Sequence, residues 1–142
     1  MTTEKPKTIE IAGLCDLNRY IDAERANKHA GAKIKRQETN FVAWACKAAK
    51  IGALKEPVFI RFTWVEENNR MDPDNIAFAK KFVLDGMVQA GCLKNDGRKN
   101  VVGFEDHFAN GPKRAVVLEI YEEVNHERGK DIPGRTGQDQ NV

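Results

Sequence analysis

The sequence predicts a single α+β domain, in which a small mixed or antiparallel sheet carries two main helices. Segments with apolar residues at alternating positions, as in strands, occur near both ends of the chain and in its middle. Between them lie segments with apolar residues three and four positions apart, as in helices that pack on a sheet. The length of 142 residues is that of one ordinary domain.

The predicted domain covers residues 8–123. Residues 1–7 are predicted to form a flexible lead. Residues 124–142, which are rich in glycine, asparagine and charge, are predicted to form a disordered tail.

The first half of the domain is predicted to contain a strand and a long helical region. The strand spans residues 8–12. Asp16 is a predicted N-cap for a helix that starts near residue 17. Helical composition continues to about residue 53, with interruptions expected at Gly31 and Thr39.

The second half is predicted to contain three strands around one clear helix. A strand at 58–65 has alternating faces, and two further strands at 101–105 and 115–122 are joined through the Asn110–Gly111 turn. The helix spans residues 75–90. One of its faces is apolar and consists of Ile76, Ala79, Val83, Gly86, Met87 and Ala90.

Several functional classes are excluded by residues or motifs that the sequence lacks. It contains no serine, so there is no serine nucleophile, and no GxxxxGK[ST] motif, so no nucleotide cofactor is expected. Its cysteines, Cys15, Cys46 and Cys92, are odd in number and form no CxxC pair, which argues against a zinc cage or a disulfide framework. Without a signal-peptide core or a membrane-spanning apolar run, we expect a cytoplasmic protein with no membrane partner.

The net charge of +2 does not by itself indicate a nucleic-acid partner, but the local distribution of charge is uneven. Basic residues dominate between Arg19 and Arg36, and a second basic group, Lys94, Arg98 and Lys99, surrounds Asp96. Such local patches suit phosphate binding. Two solvated charged faces are the alternative interpretation.

The densest chemical signal is the run Asp72-Pro73-Asp74-Asn75. Because proline favours an extended conformation for the residue before it, Asp72 and Asp74 should point to the same side. Two such carboxylates at the start of a helix suit a hard cation such as Mg²⁺. The alternative is ordinary turn and helix-cap chemistry, for which these residue types are equally well suited.

A third aspartate and two lysines extend this signal. Asp96 follows the far end of the same helix, so it joins the pair only if its loop returns along the helix; otherwise it is part of an ordinary Asp-Gly turn. Three converging carboxylates would repel one another without a cation. Lys81 lies opposite the apolar face, Lys80 flanks that face, and Lys81 can either stabilise phosphate charge or form an i,i+4 ion pair with Asp85.

These motifs occur in a recognisable order. They are Asp72-x-Asp74-Asn75, a helix with a lysine, Asp85-Gly86, Ala90-Gly91, Asn95-Asp96 and a strand at Val101-Val102. A final strand at 116–121 ends the domain, and Asn18-Arg19-Tyr20 follows the first strand. In this arrangement the chain resembles the RusA family of Holliday-junction resolvases, in particular its prophage-type members, over residues 8–123.

The resemblance implies a metal-dependent endonuclease of DNA recombination and repair, in which Asp72, Asp74 and Asp96 bind Mg²⁺, with Mn²⁺ as a substitute. It also implies a functional lysine on the helix. That helix is longer than in the best-known members by about three residues, close to one turn. Counting back from Asp85 therefore selects Lys81, with Lys80 second. Asn95 stands where the family has a second acid beside the loop aspartate.

The resemblance further implies a homodimer that recognises branched DNA through its phosphates. The expected nucleic-acid contacts are Asn18, Arg19, Lys33, Lys35, Arg36, Arg70, Asn75, Lys80, Lys94, Arg98 and Lys99. Two other functions stay open. One is a branched-DNA-binding dimer that does not cleave, and the other is an interaction module with no nucleic-acid role.

Overall fold

A computed structural model describes residues 5–123 and has a mixed four-stranded sheet in the order β1-β4-β2-β3. This confirms the predicted α+β class. Residues 1–4 of the predicted lead and the whole predicted tail lie outside the described residues, and β1 already begins at Lys7. The elements are β1 (Lys7–Ala12), α1 (Leu17–Ala26), α2 (Ala30–Ala48), β2 (Val58–Glu66), α3 (Pro73–Ala77), α4 (Lys80–Gln89), β3 (Val101–Asn110) and β4 (Ala115–Glu122).

One hydrophobic core joins the sheet to the helices α2 and α4. The predicted alternation of β2 is confirmed, since Val58, Ile60, Phe62 and Trp64 are all buried in this core. The predicted apolar face of the segment at 75–90 is also confirmed, because all of its residues are buried or partly buried. Burying each large side chain contributes roughly 1.5–3 kcal/mol. In the part of the chain that the structure describes, no helix is long and apolar enough to cross a bilayer.

The predicted hairpin between the last two strands is wrong. β2 lies between them, parallel to β3 and antiparallel to β4, and β3 extends to Asn110. The connection from β3 to β4 therefore passes around the end of β2. Gly111 N donates to Glu66 O at 3.0 Å, and Arg114 Nε lies 3.0 Å from Glu66 Oε2. Glu66 is only 8% exposed, and a buried carboxylate requires such a partner.

The predicted single helix at 75–90 is divided into α3 and α4 by a turn at Phe78 and Ala79. Ala79 N donates to Ile76 O, and Lys81 N to Phe78 O, both at 3.3 Å. These i→i−3 bonds wind the chain more tightly than an α-helix does. The Phe78 ring packs at the turn against Tyr20 of α1, with ring centroids 5.3 Å apart.

The first helical region is also divided, at a place that differs from the prediction. Asp16 is the N-cap of α1 as predicted, and its carboxylate accepts from Arg19 N at 2.9 Å. The interruption falls at Asn27, whose side-chain oxygen accepts from His29 N at 2.8 Å in a turn that competes with the helix. The predicted interruptions at Gly31 and Thr39 and the predicted end near residue 53 are wrong, because α2 runs from Ala30 to Ala48.

Gly31 serves helix packing instead of ending a helix. A Cβ atom at this position would lie 2.4 Å from Cγ of Glu24 on α1. The glycine therefore permits the close approach of α1 and α2.

Candidate metal and nucleic-acid site

Asp72 and Asp74 lie at the start of α3, and both are exposed. Asp72 occupies the N-cap position with an extended backbone (ψ 151°), yet its side chain makes no capping hydrogen bond. Asp16 occupies the same position of α1 and does cap its helix. Capping therefore accounts for the carboxylate of Asp16 and leaves that of Asp72 without a structural role at the helix end.

Asn75 fixes the aspartate pair relative to α1. It is 7% exposed, and its side-chain oxygen accepts from Asn18 N at 3.0 Å. Both residues were predicted to contact nucleic acid. Asn75 is mostly covered and holds the first turn of α1 next to the start of α3. Asn18 and Arg19 in that turn are exposed.

Asp96 lies in the exposed loop between α4 and β3, and this loop returns along the helix. Its Oδ2 is 3.5 Å from Nζ of Lys81, in the first turn of α4, and Lys81 Nζ is 3.3 Å from Oδ1 of Asp85. Of the two paths left open by the sequence, the returning one is thus observed. The hydrogen bond and charge of Asp85, and then the charge of Asp96, raise the pKa of Lys81 above its ordinary value.

The three predicted aspartates are not assembled into one cluster of ligands. Among residues 5–123, no three carboxylate, imidazole or thiol groups are placed to hold a single metal ion. Asp72 and Asp74 stand at the start of α3, while Asp96 is beside Lys81. All three carboxylates are exposed, and oxygen donors of this kind suit Mg²⁺, so the chemistry of the donors fits the predicted ion.

Lys80 points in another direction, toward the sheet. Its Nζ lies 2.6 Å from Oδ2 of Asp106 on β3 and 3.8 Å from the centre of the Phe104 ring. Asp106 also accepts from the indole N–H of Trp64 at 2.8 Å. The Lys80 side chain is 16% exposed, so its charge serves this contact inside the fold.

Sequence reasoning missed Asp106. The predicted strand ended at residue 105, whereas β3 continues to residue 110. The signal was present in the alternation of Phe104, Asp106 and Phe108, which would have placed the carboxylate on the same face of the sheet as two aromatic rings.

A groove between α2 and α4 brings residues that were predicted to contact DNA close to Lys81, Asp85 and Asp96, here called the Lys81 cluster. Its volume is about 240 Å³, and Lys35, Arg36, Thr39 and Asp85 are among its lining residues. Because Asp85 also pairs with Lys81, the groove and the Lys81–Asp96 contact are contiguous. The remaining basic residues of the prediction are all exposed: Arg19, Lys33, Arg70, Lys94, Arg98 and Lys99.

Comparison with known proteins gives no assignment, since neither a family model nor a curated protein matches this chain. The interpretation of the site therefore rests on its sequence motifs and on the contacts described above.

Proposed function

We propose that this protein is a Mg²⁺-dependent endonuclease that cleaves four-way DNA junctions and works as a homodimer in the cytoplasm, in DNA recombination or repair. The observation that carries the proposal is the return of Asp96 to Lys81 at the start of α4. This return places a third acidic residue beside the start of α4, the helix that follows α3 with Asp72 and Asp74. It supports the proposal because the resemblance to the RusA family implies a loop aspartate that acts together with that pair.

Asp72, Asp74 and Asp96 would hold the ion in this proposal. When bound, Mg²⁺ lowers the pKa of a bound water and stabilises negative charge on the reacting phosphate. The unused capping position of Asp72 supports this role, because its carboxylate is available without loss of a helix cap.

In the proposed reaction, Lys81 contacts Asp96 before DNA binds and a phosphate oxygen of the DNA afterwards. Its side chain is 57% exposed, and its ion pair with Asp96 is long, at 3.5 Å. Breaking that pair would free the Asp96 carboxylate for the cation. The Lys81 ammonium, still held by Asp85 at 3.3 Å, would then be able to contact a phosphate oxygen, and a positioned ammonium stabilises the developing charge.

Basic residues of the α2–α4 groove would guide the DNA backbone to these groups. Lys35 and Arg36 line the groove, and exposed Lys94, Arg98 and Lys99 flank Asp96 along the chain. Contacts of this kind bind phosphates and not base edges, which suits recognition of branched shape. Binding should therefore weaken steeply as salt concentration rises.

A second candidate function is a branched-DNA-binding dimer that does not cleave. The contact between Lys81 and Asp96 favours it, because the ammonium balances the loop carboxylate without any bound cation. This candidate predicts that a junction is bound and left intact in Mg²⁺ and in Mn²⁺.

A gel assay on a synthetic four-way junction separates the candidates. The purified protein is incubated with Mg²⁺, with Mn²⁺ or with EDTA, beside Asp74→Asn. Asp22→Asn is the matched control, because Asp22 is an exposed acid on α1 and its change alters net charge equally.

We expect paired nicks at symmetric positions, lost in EDTA and reduced at least 100-fold in Asp74→Asn, about 2.7 kcal/mol. The Asp22→Asn control should nick normally. A shifted but intact junction would favour the second candidate, and equal nicking by Asp74→Asn and wild type would refute the proposed mechanism.

A further inference from the structure

The two edges of the sheet differ in length and in what they expose. β1 forms one edge and has 6 residues, whereas β3 forms the other and has 10. Within residues 5–123, no strand pairs with the outer edge of β3. Two large aromatic side chains on this strand are exposed, Phe104 at 47% and Phe108 at 44%. A long edge with exposed apolar side chains is a template for pairing with another strand.

We propose that a second copy of this chain pairs antiparallel with the outer edge of β3, in a two-fold register centred on Asp106. The inference deepens the proposed function, because it names the surface that joins the proposed dimer, and it rests on that function for the expectation of a dimer. The surface itself is argued from the residues of β3.

The pattern of β3 is complementary to itself in this register. Phe104 lies opposite Phe108 of the second copy, so aromatic rings meet twice. On the other face of the strand, Glu105 lies opposite His107 of the second copy. Glu105 already contacts Arg61 at 3.1 Å and His107 at 2.8 Å in its own chain, so this register joins two such groups without placing one Glu105 opposite another. Aromatic side chains at directly opposite positions of two antiparallel strands stabilise the sheet relative to a pair of alanines.

Neighbouring two-fold registers lose both kinds of pair. A register centred on Glu105 places this acid opposite itself and Phe104 opposite Asp106. A register centred on His107 places Phe108 opposite Asp106. A two-fold axis that relates the two edge strands stands perpendicular to the sheet. It therefore pairs only residues that point to the same face, so each allowed register is centred on one residue that lies opposite itself.

Asp106 meets itself at the centre of the proposed register, where like charges would normally oppose pairing. Its carboxylate is already held by Lys80 at 2.6 Å and by the Trp64 indole N–H at 2.8 Å. The central pair is therefore two neutralised ion pairs instead of two free acids. Both partners belong to the same chain as the acid, so the arrangement is prepared before pairing.

Such pairing would join two four-stranded sheets into one continuous sheet. Because the axis is perpendicular to the sheet, the helices of both copies would lie on the same face. The Lys81 clusters would then be presented on one side of the dimer, where a single four-way junction can contact both.

A rival surface exists on α2, where Phe41 and Trp44 are exposed at 37% and 65% and stack with ring centroids 6.2 Å apart. This pair does not show the self-complementary pattern of aromatic and charged residues found on β3. It is nevertheless the alternative that the test must separate.

Cysteine cross-linking tests the register directly. Phe104→Cys and Phe108→Cys are prepared separately and also coexpressed, then oxidised. In the proposed register, positions 104 and 108 face each other across the two-fold axis, within the Cα separation that a disulfide spans. Two copies of position 104 are offset by four residues, roughly 13 Å, too far to bridge. The native cysteines are all buried.

We expect a disulfide-linked dimer in the coexpressed sample, at least 10-fold more than in either single variant alone. The oxidation is run well above the protein concentration at which wild type is dimeric, since each cysteine removes one of the paired rings. Equal cross-linking of the single variants, or no cross-linking in any sample at that concentration, would overturn the inference.

Solution mass gives a second, independent readout. Phe108→Glu should raise the dissociation constant of the dimer on the order of 100-fold, as expected for the loss of a buried aromatic anchor. Thr8→Glu places the same charge on the exposed β1 edge, and Trp44→Glu places it on the rival surface, and both should remain dimeric. A monomeric wild type, a dimeric Phe108→Glu or a monomeric Trp44→Glu would each reject β3 as the interface.

None of these readouts depends on cleavage. A β3-paired dimer that never nicks a junction would reject the proposed function and leave the inference standing. A nicking dimer joined through another surface would do the reverse.

Discussion

Lys80 and Lys81 are neighbours in sequence and belong to different regions of the molecule. Lys80 lies against the sheet, where it contacts Asp106 and the Phe104 ring, and its side chain is 16% exposed. Lys81 lies on the outer side of α4 between Asp85 and Asp96, and its side chain is 57% exposed.

The difference follows from helix geometry, since successive residues are rotated by about 100° around the axis. One lysine is committed to holding a strand to a helix, and the other keeps an ammonium at the surface. Two lysines that are adjacent in sequence can therefore have different roles, and the groups that each ammonium contacts determine which role it has. In this account Lys80 maintains the fold and Lys81 acts on phosphate.

The largest effect that would test this comparison is a loss of stability in Lys80→Met. Asp106 would keep only its hydrogen bond to Trp64, and a partly buried carboxylate would lose its counter-charge. We expect the free energy of unfolding in urea to fall by about 2 kcal/mol, the scale for a hydrogen bond to a charged group. Lys47→Met, at an exposed position of α2, is the control, and a similar small change in both would break the comparison.

An intermediate effect is expected in Lys81→Met, on cleavage and not on stability. An exposed ion pair contributes little, so the free energy of unfolding should stay within about 0.5 kcal/mol of wild type. Junction cleavage should fall about 10-fold, or roughly 1.4 kcal/mol in the barrier, through loss of the ammonium near phosphate. Single-turnover rates measure this, and an equal loss of rate in Lys47→Met would show that only net charge matters.

The smallest effect is a pH dependence of the Lys81 contribution. Because Asp85 and Asp96 raise the pKa of Lys81 above the ordinary lysine value of 10.5, its stabilising charge is fully present below pH 10.5. It is lost as the pH rises through the higher pKa of the folded state. The stability difference between wild type and Lys81→Met, a few tenths of a kcal/mol, should persist at pH 10 and vanish at still higher pH. A difference that disappears below pH 9 would contradict the assignment of partners.

Features of the fold that depend on local sequence were predictable. The Asp16 cap, the alternating faces of β2 and the apolar face of α4 are each encoded by nearby residues. The position of β3 was not, because the choice between a hairpin and pairing with β2 depends on distant contacts. Gly111 and Arg114 reach Glu66 of β2, a partner far away in sequence.

The site shows the same division. The exposed aspartate pair follows from its own sequence, since Pro73 sets the backbone there. The position of Asp96 beside Lys81 depends on the path of the loop between α4 and β3, and the residues near Asp96 do not determine that path. The contacts of Asp106 could not be predicted from the sequence, because its hydrogen bond to Trp64 forms only when β3 pairs with β2.

The most direct test of the central claim asks whether a divalent cation sits among Asp72, Asp74 and Asp96. Fe²⁺, which binds similar oxygen and nitrogen sites, generates hydroxyl radicals with ascorbate and peroxide that cut the backbone near the bound ion. The experiment is run on the protein with and without junction DNA, with excess Mg²⁺ as competitor.

We predict cuts close to residues 72–74 and near residue 96, suppressed by Mg²⁺ and absent in Asp74→Asn. Cuts confined to other segments, or cuts at 72–74 and 96 that persist unchanged in Asp74→Asn, would contradict the account.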